Sequence, residues 1–152
     1  MFPVNVNFRK LHSGGFTLVE LVIIIVVLGI LAAVAIPKFS SISDNSKITA
    51  TKEEMQQLKR AIVGNPTIVA GGTVVDRGYY GDVGSLPTAL ADLVTKPGSV
   101  ATYDKLTRIG WNGPYIDSAG YSIDAWGGTY VYSSATRRII SIHGTDSIIV
   151  TF

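Results

Sequence analysis

The chain has 152 residues, a formal net charge of +2, 47% hydrophobic and 16% charged residues, and no cysteine. Such a length suits one domain with an appendage. The small charge, with no Lys/Arg cluster beside an aromatic stripe, argues against a nucleic-acid binder, and the missing cysteines exclude disulfides and thiolate metal sites.

The charge is unevenly spread. Arg9 and Lys10 are the only basic residues before Phe16, and Phe16–Ile36 is apolar except for Thr17, Glu20 and Gly29. As a helix this run is about 30 Å long, enough to cross the hydrocarbon core of a bilayer. The preceding cations put the N-terminus in the cytoplasm and the bulk of the chain on the far side. A cleavable secretory signal carries its small-residue site after the apolar run. Here Ser13, Gly14 and Gly15 come before it, while Pro37 and a helical pattern follow Ala32, Ala33 and Ala35.

The stretch Gly15-Phe16-Thr17-Leu18-Val19-Glu20 resembles the class III leader of type IV pilins and type II secretion pseudopilins. The resemblance implies that a membrane prepilin peptidase cuts after Gly15 on the cytoplasmic side. It also implies that the peptidase N-methylates the new first residue, Phe16, and that the apolar segment is kept.

Glu20 has two readings. Locally, a carboxylate in a helix's first turn is favoured by the macrodipole by about 0.3–1 kcal/mol. After cleavage Phe16 carries a free ammonium, and a neighbouring helix shifted along a fibre axis would bring that group to Glu20. An ion pair at 4 Å is worth about 4 kcal/mol at an effective dielectric of 20. An acidic group at the centre of a membrane helix costs about 2.5–3.5 kcal/mol. Glu20 is thus better paired than alone, and the family resemblance supplies the partner for assembly.

Beyond Pro37, the residues Phe39, Ile42, Met55, Leu58 and Ile62 recur at helical spacings. Pro37 is expected to kink or locally melt the helix rather than end it, and Gly64-Asn65-Pro66 to stop it. A helix from Phe16 to Val63 would be about 70 Å long. Its first half has no covering partner in the chain and needs lipid or copies of itself. The stem, residues 38–63, carries five basic and three acidic residues and needs a small domain on one face. Residues 64–84 read as a loop, and Thr88–Val94 as a short helix started by Pro87. Trp111–Tyr115 reads as a turn, and the two tryptophans, Trp111 and Trp126, are expected to fill core space. The segments GTYVYSS, RRIISIHG and SIIVTF read as three antiparallel strands.

The fold class is therefore α+β: a long N-terminal helix, transmembrane then amphipathic, packed on a small antiparallel sheet. The expected organisation is a leader at 1–15 and a transmembrane and assembly helix at 16–37. The stem at 38–63 and a globular periplasmic head at 64–152 follow.

In the head, Asp82, Gly84, Pro87 and Thr88, then Trp111, Gly113, Pro114 and Tyr115, then Asp124, Trp126, Gly127 and Tyr130 are similar in order and spacing to the major pseudopilins of type II secretion systems. Their residue types suit packing and turns. That family binds calcium through a loop near its C-terminus. Ser141, Gly144 and Asp146 match its start, but Ser147, Ile148 and Ile149 depart from its continuation. The resemblance offers Asp117, Asp124 and Asp146 as calcium ligands, though the ion needs six to eight oxygens.

No nucleophile–base order, HExxH motif or phosphate loop is present, and His143 is the only histidine after the leader. The chain reads as a substrate of an enzyme and not as an enzyme. The resemblance implies a structural subunit of a periplasmic pseudopilus that drives protein secretion across the outer membrane. Its partners would be copies of itself, the prepilin peptidase, minor pseudopilins, an inner-membrane assembly platform and a cytoplasmic ATPase. The alternatives are a type IV pilin of a surface fibre, for adhesion or motility, and a membrane-anchored periplasmic binding domain that never polymerises.

Overall fold

In a computed structural model of the chain, residues 15–117 and 122–152 are described, with the side chain of residue 37 excepted. The leader residues Arg9, Lys10, His12, Ser13 and Gly14 lie outside the described residues. The chain divides into two compact units, one up to Ile42 and the other from Ser43 to Phe152.

A single helix, α1, spans Leu18–Val63. Its apolar part belongs to the first unit. Every large apolar side chain reported there is exposed, from Phe16, 76% exposed, to Ile36 and on to Phe39 and Ile42. Pro37 falls within the helix and does not end it. An 18-residue window of α1 has a mean hydropathy of 3.1 and none of it is buried. α1 is thus one helix long and apolar enough to cross a membrane.

In the second unit the stem face is covered, and it starts later than the sequence pattern suggested. Phe39 and Ile42 stay exposed, whereas Thr51, Met55, Leu58 and Ile62 are fully buried. These four follow a 3-4 spacing, which stacks them on one helical stripe. Against the three apolar ones pack Tyr79, Leu90, Leu93, Tyr130, Ile139 and Val150, which form the core.

The stem stops at Gly64, whose N–H donates to the Arg60 carbonyl at 2.7 Å with φ at +74°. A glycine in the left-handed region just past the last turn is the usual helix terminator. The expected loop at 64–84 in fact holds three elements. Strands β1, Asn65–Ala70, and β2, Thr73–Asp76, form an antiparallel hairpin about Gly71 and Gly72, and helix α2 follows at Gly78–Val83. The hairpin's two ends meet at a pair of glycines. A Cβ on Gly78 would lie 2.3 Å from the Gly64 nitrogen, and one on Gly64 would lie 2.3 Å from the Asp76 carbonyl oxygen.

The short helix expected at Thr88–Val94 is a 3-10 turn at Leu90–Leu93. Asp92 folds back on it, its Oδ2 accepting from the N–H groups of Thr88 and Ala89. Three strands close the chain: β3 at Val131–Ser133, β4 at Arg138–His143 and β5 at Asp146–Thr151. They pair antiparallel in the order β3-β4-β5. The architecture is α+β and pilin-like, with Ile139 and Val150 paired across β4 and β5 on the face that meets the core.

Candidate functional site

The N-terminal end of α1 is the first site. Gly15, Phe16 and Thr17 precede the helix and are exposed, with open space about Gly15 where a side chain would stand. The Gly15–Phe16 bond is exposed and non-helical, as a peptidase requires of the bond it cuts. One turn on, Glu20 Oε2 accepts from the Thr17 N–H at 3.1 Å and from its hydroxyl at 3.0 Å. The Thr17 hydroxyl oxygen in turn accepts from the Glu20 N–H at 3.2 Å. This is a reciprocal capping box, in which Thr and Glu three residues apart satisfy orphan donors of the first turn. The T-x-x-E spacing that encodes it is plain in the sequence.

The matched head residues serve packing and turns. Asp82 is buried, with Arg77 3.7 Å away, and its Oδ2 accepts from the Tyr115 hydroxyl at 3.2 Å. Arg77 also donates to the carbonyls of Arg108 and Gly81. Burial, followed by the charge of Asp82, pushes the Tyr115 hydroxyl up to about 12. Trp111 packs on the core edge and donates its Nε1–H to the Asp92 carbonyl at 2.9 Å. Tyr132 donates to the Pro87 carbonyl at 2.9 Å. Tyr130 donates to Glu54 of the stem at 2.6 Å, and burial together with that carboxylate pushes its own ionisation far up.

Trp126 departs from expectation. It does not fill the core but stacks on His143 with ring centroids 4.5 Å apart. The two line a groove of about 720 Å³ between the stem and the β4–β5 hairpin, with Asp44, Ile48 and Lys52 on one wall and Asp146, Ile148 and Ile149 on the other. Nothing in the sequence pointed to this groove, because its walls are far apart along the chain.

The three aspartates offered for calcium are in different places. Asp124 is 6% exposed, and its carboxylate is already occupied. Oδ1 accepts from the N–H groups of Trp126 at 3.0 Å and Gly128 at 2.7 Å, and Oδ2 from the Ser141 hydroxyl at 2.6 Å. Burial alone would raise this carboxyl. The bonds from Ser141, Gly128 and Trp126, with His143 nearby, outweigh burial and hold it below its ordinary value. Asp146 is exposed at the start of β5, on the groove. Asp117 lines a separate pocket with Arg60 and Asp76. Among the described residues no three His, Asp or Glu side chains gather into a metal site. A calcium ion needs six to eight oxygens, and both oxygens of Asp124 already accept hydrogen bonds from the protein. The Ala125 N–H ties the loop that carries Asp124 to Thr51 of the stem at 3.3 Å.

An exposed apolar helix that begins just after Gly15, with a small head on its polar half, defines a class. Residues 10–36 match the family described as the prokaryotic N-terminal methylation motif. The N-terminal segment is thus similar to that of proteins carrying this motif. Residues 73–146 match the family described as type II secretion system (T2SS), protein G. A fimbrial protein of Pseudomonas aeruginosa is 37% identical over 82 residues, 51% of this chain and 52% of that protein. The chain thus spans about half the length of that relative. The type II secretion system core protein G of Xanthomonas campestris pv. campestris is 29% identical over 120 residues, 79% of this chain and 68% of that protein. The core protein G of Pseudomonas aeruginosa is 35% identical over 54 residues, 36% of this chain and 38% of that protein. No solved structure matches the chain significantly.

Proposed function

We propose that the chain, cut between Gly15 and Phe16 and methylated on Phe16, is the major subunit of a periplasmic pseudopilus serving type II secretion. The observation that carries this reading is the wholly exposed apolar part of α1 on a chain whose head is of the protein G type. Before assembly lipid covers that surface, with the N-terminus cytoplasmic and the head periplasmic. In the fibre, copies of the same helix cover it. The incoming Phe16 ammonium then meets Glu20 of an older subunit, so that each added copy neutralises a carboxylate leaving the membrane. A peptidase, minor pseudopilins, an inner-membrane platform and an ATPase complete the machine.

A surface fibre is the second reading, favoured by the fimbrial relatives. Deleting the gene in its own host separates the two. The pseudopilus reading expects exported enzymes to accumulate in the periplasm while surface fibres and surface motility persist. Loss of fibres with normal secretion would reverse the order.

A further inference from the structure

The head carries a rigid, solvent-facing knob. Leu106 is 94% exposed, the most exposed of the head's large apolar side chains, and it sits at the tip of a turn between Asp104 and Ile109, which pair as an antiparallel bridge. The turn is fixed from within. Asp104 Oδ1 accepts from the Leu106 N–H at 2.9 Å, its Oδ2 from the Thr107 hydroxyl at 3.1 Å, and its carbonyl from the Arg108 N–H at 2.7 Å. Arg77 holds the Arg108 carbonyl from below. Such a turn presents Leu106 and the adjoining Lys105 with little entropy left to lose on binding.

The groove beside Trp126 is a matching hole. Ile48, Ile148 and Ile149 give it apolar walls, and its two carboxylates, Asp44 and Asp146, outnumber its one lysine, Lys52. The Trp126 Nε1–H is buried without an acceptor among the described residues, a state that costs free energy until a partner fills it. Its volume of about 720 Å³ takes the tip of a turn rather than one side chain, being in the range of about 300–1,000 Å³ that holds drug-sized ligands. The knob and the hole share no residue, and Leu106, being exposed, does not fill the groove of its own chain.

A projecting patch and a complementary hole at different places on one molecule make a head-to-tail contact that propagates instead of closing. We propose that the Leu106 turn of one copy docks in the Trp126 groove of the next. Leu106 lies against Ile48 and Ile148, Lys105 faces Asp44 and Asp146, and a backbone carbonyl of the turn accepts from Trp126 Nε1. The proposal rests on the filament reading above and adds the contact between heads.

The test uses the full-length chain in its own host, where the lack of native cysteine makes introduced pairs unambiguous. A chain carrying both Leu106→Cys and Ile148→Cys should crosslink into a ladder of dimers, trimers and longer species. Two chains carrying one change each, mixed, should stop at dimers. Leu106→Ser removes nothing from the core, and should lower fibre yield about tenfold or more with leader processing unchanged. Lys105→Glu should lower it less, and Asp146→Lys should restore it. Normal fibres with no crosslink and no effect of Leu106→Ser would overturn the docking and leave the filament reading standing. A dimer limit in the double-cysteine chain, or Ile148→Cys joined only to another protein, would overturn it equally. No fibres from the unaltered chain would bring down the filament reading and the docking with it.

Discussion

Glu20 combines a cap and a charge, and two substitutions separate them. Glu20→Gln can still complete the capping box with Thr17 but offers no counter-charge to an incoming ammonium. Thr17→Ala keeps the charge and loses the cap, worth about 0.5–2 kcal/mol. If the charge drives assembly, Glu20→Gln and Glu20→Leu should both be inserted and cleaved yet form few fibres. Breaking one side of a buried pair costs about 3–5 kcal/mol. Thr17→Ala should then assemble nearly normally. Fibre counts with the processed mass confirmed would show it, and normal fibres from Glu20→Gln would reduce Glu20 to a cap. Asp124 has a different signature. Its carboxyl is held below the ordinary value of 3.8, so its stabilisation is complete above that value and is lost as pH falls through the lower folded value. Asp124→Ala should cost about 1.5–3 kcal/mol at neutral pH, as for hydrogen bonds to a charged group. The variant should also show a shallower loss of stability below about pH 4 in denaturant titrations.

At the scale of elements, the join between stem and head depends on two glycines. Gly78 holds φ at +59°, and any Cβ there meets the backbone of Gly64 and Val63. Gly78→Ala should cost more than the roughly 1–2 kcal/mol of the left-handed backbone, because backbone cannot step aside as a side chain can. Met55→Ala, which empties a fully buried stem position, should cost about 2–5 kcal/mol. Urea midpoints of the two variants would check both figures. The hairpin between these glycines is rich enough in glycine to read as a loop. Yet Gly71-Gly72 between the β-branched runs Thr67–Val69 and Thr73–Val75 is a hairpin signal. α2 had no such signal. Gly78-Tyr79-Tyr80-Gly81 is poor helix sequence, and its form is set by burying Tyr79 against the core.

For the molecule as a whole, residues 38–152 should fold without the apolar segment, because every core residue lies at or beyond Met55. That fragment should unfold cooperatively, and an aggregated or molten fragment would contradict the division into two units. Millimolar calcium should leave its Tm unchanged. A rise reversed by chelator would mean that the ion finds oxygens beyond Asp117, Asp124 and Asp146. Tyr115 and Tyr132 are pushed up to about 12, chiefly by burial. Their folded values lie above the unfolded value of 10.0, so the stability they give is complete below that value. It should decline as pH rises from there towards about 12, which alkaline titration of the fragment would follow.

The sequence by itself determined whatever depends on local order. The glycine before the apolar run, the lone carboxylate at residue 20, the helical spacing of Met55, Leu58 and Ile62 and the last three strands were all legible in it, since helix and strand periods and leader motifs are written over adjacent residues. Only the tertiary structure decided what depends on distant residues meeting. It moved Trp126 from the core to a groove wall beside His143. It filled the Asp124 carboxylate with donors from Trp126, Gly128 and Ser141. It also left Leu106 outside. Each outcome depends on which surfaces the folded chain brings within a hydrogen bond or van der Waals contact of one another, and no window of adjacent residues contains that information.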